Sequence, residues 1–338
     1  MSEIAVIGAG AWGTALAIVL GRKGSHRVRL WVHDPKVCSN IEKVRVNERF
    51  LPGCDVPDSV TVTGDLGEAV TKAHIVVSAI PSQHCRQLFE QMCPHLPSET
   101  LIISATKGLE EKTFLRMTQV IAGALGKDAA HSPRIGALSG PSFALEAARG
   151  DPTAVTIAST DSDLALAVQQ EFGDAGFRVY TNSDVIGVEL GGALKNVVAI
   201  AAGICHGLGF GHNSIAGLIT RGLAEMMRLV VACGGRAETM VGLAGLGDLV
   251  LTCTGSLSRN RSVGVELGRG RALPEILADM QGKVAEGIFT ATAAAELART
   301  HGIVMPITDQ VNAILHQNKS PRKALQELMM RSGKSEHP

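Results

Sequence analysis

The first half of the chain alternates between short apolar runs and longer amphipathic stretches. Residues 3–7 form an apolar run that ends in glycines, an apolar-periodic segment covers 14–24, and a second run covers 27–32. Short apolar runs bounded by turn residues predict strands, and apolar residues that recur at helical spacing predict a helix. The pattern therefore predicts a strand, a glycine turn, a helix and a second strand.

The same alternation continues and predicts a doubly wound, Rossmann-like α/β sheet. Further runs typical of buried strands occupy residues 74–83, 100–110, 134–150, 153–159 and 177–182. Ligands of such sheets bind at the carboxyl ends of the strands. Residues 81–82, Lys107 and 140–142 lie at such ends, so we expect them to converge on one crevice.

From residue 184 onward the apolar residues recur at helical spacing, which predicts an all-α second half. The predicted helices are 184–207, 213–233, 260–268, 273–280, 287–301, 305–317 and 320–331. Glycine-rich 242–261 is predicted to be one long irregular segment, and such segments are often functional. We expect a dinucleotide-binding domain at 1–186 and a helical domain at 187–338 that binds the substrate and carries the catalytic group.

Composition narrows the class of protein. The 338 residues carry no formal net charge and 45% of them are hydrophobic, so neither nucleic acid nor a membrane surface is an expected partner. No basic leader and no uninterrupted apolar run of about 20 residues is seen, so we expect no signal peptide and no stable membrane insertion. Seven scattered cysteines suit a reducing cytoplasm and predict no metal site. Thirty-eight glycines and few aromatic residues predict close packing of helices.

Gly8, Gly10 and Gly13 form a G-x-G-x-x-G motif between the first predicted strand and the first predicted helix. The first glycine permits a tight turn, the second lets the backbone approach a pyrophosphate, and the third lets helix and strand pack closely. Asp34 ends the second strand 21 residues past Gly13, which strengthens the prediction of dinucleotide binding.

The choice between NAD and NADP stays open on these residues. An acidic residue such as Asp34 binds ribose hydroxyls and repels a 2′-phosphate. Neighbouring His33, Lys36 and Arg29 favour a phosphate, and Asp34 is equally well explained as a turn residue before Pro35.

Lys195 stands in an apolar, small-residue stretch with no carboxylate three or four positions away. An unpaired charge in such a wall is costly, which favours a chemical role, although a lysine can also reach outward to solvent. Asp248 has no local basic partner and is able to pair with Lys195 across space. Arg259, flanked by Ser258 and Asn260, has a planar guanidinium group suited to binding phosphate or carboxylate. The alternative role for Arg259 is a surface ion pair.

The chain resembles the bacterial-type NAD(P)-dependent glycerol-3-phosphate dehydrogenases over essentially its whole length. The resemblance rests on long, ordered segments: VIGAGAWGTALA (6–17), LWVHDP (30–35), SATKGLE (104–110), SGPSFALE (139–146), GVELGGALKNVVAIAAG (187–203), TRGLAEMMRL (220–229), GLAGLGDLVLTCTGSLSRNR (242–261), VAEG (284–287) and MPIT (305–308). It implies reversible reduction of dihydroxyacetone phosphate to sn-glycerol 3-phosphate for glycerophospholipid synthesis, with NADPH preferred and NADH accepted.

The resemblance also implies roles for individual residues, with Lys195 as the catalytic proton donor and acceptor. The residues implied to bind the substrate are Lys107, Gly140, Ser142, Lys195, Asp248, Ser258, Arg259 and Asn260. Those expected to bind the cofactor, from the glycine motif and the resemblance together, are Gly8, Gly10, Ala11, Trp12, Gly13, His33, Asp34, Lys107, Ala144, Arg259, Val284 and Glu286. Ala11 stands where serine is common in the family, but a backbone N–H binds phosphate whatever the side chain.

Two other functions compete with this interpretation. A β-hydroxyacid dehydrogenase also joins a dinucleotide-binding domain to helices with a catalytic lysine, and its carboxylate substrate would equally use Arg259. A regulator that senses NAD(P)H without turnover would be expected to lack Lys195 or Arg259, and both are present. The apolar faces of the helical half make a homodimer the expected assembly.

Overall fold

The computed structural model describes residues 2–126, 134–280, 284–333 and 335–336. Its strands are β1 (Ser2–Ile7), β2 (His26–Trp31), β3 (Val46–Asn47), β4 (Leu51–Asp55), β5 (Val60–Thr63), β6 (Ile75–Ser78), β7 (Leu101–Ser104), β8 (Arg134–Ser139), β9 (Thr153–Ala158) and β10 (Phe177–Asn182). One sheet has the order β10-β9-β8-β7-β6-β1-β2-β5, and β3 and β4 form a separate pair. The sheet is parallel except where β8 meets β9, and this confirms the predicted Rossmann-like first half.

The helices of the first half alternate with the strands, and those of the second half follow one another. They are α1 (Ala11–Arg22), α2 (Pro35–Val44), α3 (Leu66–Val70), α4 (Cys85–Met92), α5 (Met117–Leu125), α6 (Ala144–Arg149), α7 (Ser162–Phe172), α8 (Val185–Gly207), α9 (His212–Ala232), α10 (Ala237–Met240), α11 (Asp248–Thr254), α12 (Arg259–Gly268), α13 (Leu273–Asp279), α14 (Gly287–Thr300), α15 (Pro306–His316) and α16 (Pro321–Met329). All seven helices predicted for the second half are confirmed to within about two residues at their ends.

The glycine turn between β1 and α1 is shaped by close backbone approach. Gly8 has φ +108°, and a Cβ on Gly13 would lie 1.8 Å from the carbonyl oxygen of Gly8. No side chain larger than glycine's hydrogen fits at position 13, so α1 begins directly against the turn. A Cβ on Gly10 would meet no atom within 4 Å, so the turn is open on that side.

Helix α8 is the centre of the helical domain and is buried along nearly all of its length. Its length and a mean hydropathy of 1.6 meet the requirements for a membrane-spanning helix. The sequence prediction, which was based on uninterrupted apolar runs, did not anticipate this. Because 89% of its most apolar window is buried inside the protein, α8 is accounted for as a core helix. The only other stretch that meets this test within the described residues is a pair bent by 48°, Ala237–Thr254 with Arg259–Gly268.

Helices α8 and α12 approach each other through glycines, as the composition predicts. A Cβ on Gly264 would lie 2.0 Å from the carbonyl oxygen of Ile200, and one on Gly203 would lie 2.0 Å from that of Arg261. The backbones of the two helices are therefore in direct contact, and this contact holds α12 against the helix that carries Lys195.

We expect Gly264→Ala to lower the free energy of unfolding by about 2 kcal/mol, because the added methyl group forces the two backbones apart. Gly217→Ala is the matched control, since Gly217 is an exposed residue of α9 with open space around its Cβ position. Alanine there should stabilise by about 0.5–1 kcal/mol through helix propensity. Urea unfolding of both variants measures the difference; equal effects would contradict the packing argument.

The prediction of one irregular segment at 242–261 is wrong. Leu243–Gly247 forms a short π-helix, α11 follows at once, and α12 begins at Arg259. The glycines that suggested a loop instead permit tight winding, because a Cβ on Gly245 would lie 2.2 Å from the carbonyl oxygen of Met240. Strands β3, β4 and β5 were also not predicted, since they are short and lack a long apolar run.

Candidate active site

Lys195 is buried in the wall of α8, with 8% of its side chain exposed, and does not reach outward to bulk solvent. Its ammonium group donates to a carboxylate oxygen of Asp248 and, at 2.8 Å, to the hydroxyl of Thr252. The Thr252 hydroxyl in turn donates to the backbone oxygen of Asp248 at 2.6 Å. The predicted pairing of Lys195 with Asp248 is confirmed.

Lys107 brings a second cation to the same carboxylate. It follows β7, and its ammonium group donates to the other carboxylate oxygen of Asp248 at 2.7 Å and to the backbone oxygen of Gly140 at 3.0 Å. Asp248 is 1% exposed, so both ion pairs are shielded from water on its side. Asp248 of the helical domain therefore lies where β7 and β8 end. This agrees with the prediction that Lys107 and residues 140–142 converge on one crevice.

Burial changes the protonation chemistry of Lys195. Desolvation in the apolar wall lowers its pKa to about 8; the negative charge of Asp248 opposes this shift, and the positive charge of Lys107 adds to it. The sequence left the direction of this shift open. A pKa near neutrality lets one amine donate a proton and recover it at physiological pH.

The close approach of α8 to the sheet depends on small residues. A Cβ on Gly192 would lie 2.6 Å from the hydroxyl of Ser139, at the end of β8. Ser139 is buried and its hydroxyl has no partner in the described residues. At the next residues Gly140 adopts φ +134°, and the Ser142 hydroxyl donates to the Gly140 oxygen at 2.9 Å.

Amide hydrogen bonds join three segments next to Lys195, through its neighbour Asn196. The Asn260 side chain donates to the side-chain oxygen of Asn196 at 3.0 Å and accepts from the backbone N–H of Gly287 at 2.9 Å. The Ser258 hydroxyl caps α12 by accepting the N–H of Arg261 at 3.2 Å. These bonds fix the start of α12 relative to α8.

Arg259 is the first residue of α12, and it is exposed. The surrounding protein nevertheless displaces enough water to lower the pKa of its guanidinium, while the charge of Glu286 opposes that shift. The group keeps its positive charge at neutral pH. It presents this charge beside a helix N-terminus, which also favours anions.

Glu286 connects the helical domain to the loop after β6. Its carboxylate accepts from the backbone N–H of Ser82 at 3.2 Å and from the Ser82 hydroxyl at 2.5 Å. Burial raises the pKa of Glu286, and these hydrogen bonds oppose the increase. Val284, two residues earlier, is half-buried on the same segment.

The glycine turn has the features that a dinucleotide diphosphate requires. Gly10 precedes α1 and provides no side-chain cap, so the first N–H groups of the helix remain available. Ala11, Trp12 and Ala144 pack against the same core cluster of the sheet. The indole N–H of Trp12 is buried without a partner among the described residues. The turn therefore fits the cofactor that the motif predicts.

Asp34 has the structural role that the sequence analysis kept as an alternative. Its carboxylate caps α2 by accepting the N–H of Lys36 at 2.9 Å, and it pairs with Arg49 at 2.8 Å. The Lys36 N–H is the largest cause that lowers the pKa of Asp34. Adjacent His33 is exposed, with its ring 5.7 Å from that of Trp31.

The cysteine nearest to this chemistry is not an activated thiol. Burial raises the pKa of Cys253 to about 12, and that of Cys85 to about 12 as well. A thiol with a raised pKa is a poor nucleophile at neutral pH.

Comparison with known proteins finds the same family along both halves of the chain. Residues 3–165 match the NAD-dependent glycerol-3-phosphate dehydrogenase N-terminus, and residues 184–326 match the C-terminus of the same family. The chain belongs to the NAD-dependent glycerol-3-phosphate dehydrogenase family.

Similar proteins of this dehydrogenase family match the chain over nearly its whole length. The glycerol-3-phosphate dehydrogenase [NAD(P)+] of Koribacter versatilis is 62% identical over 336 residues, 99% of both chains. That of Acidobacterium capsulatum is 55% identical over 99% of this chain and 100% of its own. The crystal structure of the Coxiella burnetii glycerol-3-phosphate dehydrogenase has a TM-score of 0.92 at 42% identity, covering 98% of this chain and 99% of that one.

Ser82 was expected in the crevice without an assigned partner, and Thr252, Asn47 and Arg49 received no role from the sequence. Thr252 lies four residues after Asp248, so a helical interpretation of that segment would have placed both on one face. The other three contact partners far away along the chain, and no local pattern indicates those contacts.

Proposed function

We propose that the protein catalyses the reversible, NAD(P)H-dependent reduction of dihydroxyacetone phosphate to sn-glycerol 3-phosphate. The single observation that carries this proposal is the buried Lys195, held by Asp248 and Thr252 where the ends of β7 and β8 meet α8. Membership of the dehydrogenase family supports the same reaction.

The residues fall into two groups by position. The glycine turn with Ala11 and Trp12 would hold the diphosphate of the cofactor, and Ala144, Val284 and Glu286 would contact the rest of it, as would Lys107 and Arg259. When bound, the nicotinamide supplies the hydride. The residues proposed to bind the substrate are Lys107, Gly140, Ser142, Lys195, Asp248, Ser258, Arg259 and Asn260.

Lys195 provides the proton that reduction of a ketone requires. In its charged form the ammonium group polarises the substrate carbonyl and donates a proton from Nζ to the developing alkoxide. In the reverse direction the neutral amine accepts that proton. Asp248 and Thr252 hold two of the three hydrogens of Nζ, which leaves one to point at the substrate.

Lys107 and Arg259 provide the remaining positive charge. Lys107 shares Asp248 with Lys195, so it places a second cation beside the alkoxide that forms during reduction. Arg259 would bind the phosphate through its planar fork and so orient the reacting carbon from a distance.

The test is a steady-state assay with dihydroxyacetone phosphate against 3-hydroxyisobutyrate and 6-phosphogluconate, each with the nicotinamide cofactor in the matching redox state. We expect kcat/KM for dihydroxyacetone phosphate to exceed the others by about 10³-fold or more, because only it combines a small ketone with a phosphate for Arg259. A preference for either acid would instead support a β-hydroxyacid dehydrogenase. Binding of NADPH with no turnover of any of these substrates would support the sensing regulator.

The cellular context follows from the reaction. Its product, sn-glycerol 3-phosphate, would supply glycerophospholipid synthesis in the cytoplasm.

A homodimer is the assembly we propose, because Phe210, Val231 and Val304 are exposed apolar residues of the helical part. Light scattering that gives the mass of one chain would contradict the dimer.

A further inference from the structure

We propose that Arg49 binds the 2′-phosphate of NADPH and thereby decides which nicotinamide cofactor the protein prefers. This inference rests on the proposed function and adds a residue that determines specificity. Arg49 lies in the segment that follows α2, outside the glycine motif.

The segment that carries Arg49 is fastened to the glycine turn by a buried side chain. Asn47 is 0% exposed, and its side-chain amide donates to the backbone oxygen of Ala9 at 2.9 Å and to the hydroxyl of Thr14 at 2.8 Å. Its side-chain oxygen accepts the N–H of Phe50 at 3.1 Å. Arg49 therefore lies on backbone that is fixed relative to the diphosphate end of the cofactor site.

The guanidinium of Arg49 lies where the second ribose of a dinucleotide is expected. Its Nη1 donates at 2.8 Å to Asp34, which lies between β2 and α2, three residues after the strand ends, near where the 2′ position is recognised in this fold. The group also lies 5.0 Å from the centre of the Phe50 ring, which orients it. Nearly half of the Arg49 side chain, 49%, is exposed, so a ligand is able to reach its other N–H groups.

Asp34 is poorly placed to favour NADH. One carboxylate oxygen caps α2 at Lys36 and the other pairs with Arg49, so its negative charge is already compensated. The exposed side chains of His33 and Lys36 add basic groups at the same edge. A 2′-phosphate would therefore meet the N–H groups of Arg49 that Asp34 does not occupy, and the paired carboxylate would repel it less than a free one.

The decisive variant is Arg49→Gln, studied by equilibrium binding of NADPH and NADH to the whole protein through nucleotide fluorescence. We expect the Kd for NADPH to rise by at least about tenfold, because charge-assisted hydrogen bonds are lost, while the Kd for NADH changes little. Calorimetry with 2′,5′-ADP and 5′-AMP isolates the phosphate: the ratio of their affinities should fall by the same factor.

Lys43→Gln is the matched control, because it removes one positive charge from the exposed end of α2, about 13 Å along the helix from Asp34. It should leave both affinities unchanged. Asp34→Asn keeps a capping side chain and frees Arg49, so it should tighten NADPH and 2′,5′-ADP. The opposite changes in NADPH affinity expected for Arg49→Gln and Asp34→Asn distinguish a recognition role from general damage to the fold. Thermal unfolding of each variant measures such damage.

The proposal is overturned if Arg49→Gln weakens NADPH and NADH equally, or leaves NADPH unchanged. That failure is distinguishable from failure of the proposed function. If Arg49→Gln still reduces dihydroxyacetone phosphate with NADH, the reaction stands whichever way the binding ratio moves. If the unaltered protein binds both nucleotides but reduces no ketone, the reaction is wrong while the role of Arg49 is still tested by binding.

Discussion

Lys195→Ala is expected to lower kcat for the reduction of dihydroxyacetone phosphate by about 10³-fold, the scale of a lost general acid. The Kd for NADPH should stay nearly unchanged, because the glycine turn lies on a different part of the chain.

In the unaltered enzyme, kcat for reduction should fall as pH rises through the pKa of Lys195, near 8, since only the protonated amine donates. The reverse oxidation should rise over the same range, and stopped-flow and pH–rate measurements test both.

Lys195→Met is the matched variant for this test. Methionine nearly fills the volume of lysine, so it avoids the cavity that alanine leaves next to Asp248, which Lys107 still neutralises. Both variants should lose activity and the inflection near pH 8 together. Near-normal kcat in a folded Lys195→Met protein would show that another group supplies the proton.

Arg259→Ala should chiefly raise the KM for dihydroxyacetone phosphate, by roughly 100-fold, the equivalent of about 3 kcal/mol for a lost charged hydrogen-bond pair. The change in kcat should be smaller, because Arg259 holds the phosphate and not the reacting carbon. Steady-state kinetics across a wide range of substrate concentration separates the two parameters.

Arg269→Ala is the control for Arg259. Arg269 follows the other end of α12, about 15 Å along the helix, and forms an exposed ion pair with Glu266 at 2.7 Å. Surface pairs of that kind contribute about 0–1 kcal/mol, so KM should not change. An unchanged KM in Arg259→Ala would assign the phosphate to another cation, with Lys107 as the first candidate.

Much of the fold was predictable because its signals are local. The run before Gly8, the spacing of Gly8, Gly10 and Gly13, and the apolar periodicity after residue 184 each depend on a few neighbouring residues. Local periodicity reflects the 3.6-residue helix and the two-residue strand directly, so such elements are readable without tertiary structure. The error at 242–261 has the opposite cause, since glycines there permit close contacts and not flexibility: a Cβ would lie 2.2 Å from the carbonyl oxygen of Met240 at Gly245 and 2.3 Å from the ring of Phe143 at Gly255.

The sequence and the family resemblance named the residues proposed for the site, but they did not indicate how these residues contact one another. Lys195 was singled out by an unpaired charge in an apolar stretch and by the family resemblance, and Asp248 was a candidate partner. The carboxylate of Asp248 binds both Lys195 and Lys107, which lie 53 and 141 positions away from it along the chain. No local pattern encodes contacts of that separation.

The sequence by itself determined a dinucleotide-binding sheet followed by a helical domain, and it singled out the lysine and arginine on which the chemistry is proposed to depend. The tertiary structure alone decided the direction of the Lys195 pKa shift, because desolvation, Asp248 and Lys107 act in opposing senses and only their distances determine the sum. It also decided the state of Asp34, since pairing with Arg49 depends on how the segment after α2 folds back on the glycine turn. Residue identity specifies which charges exist, and only the folded chain specifies how far apart they are and how much water lies between them.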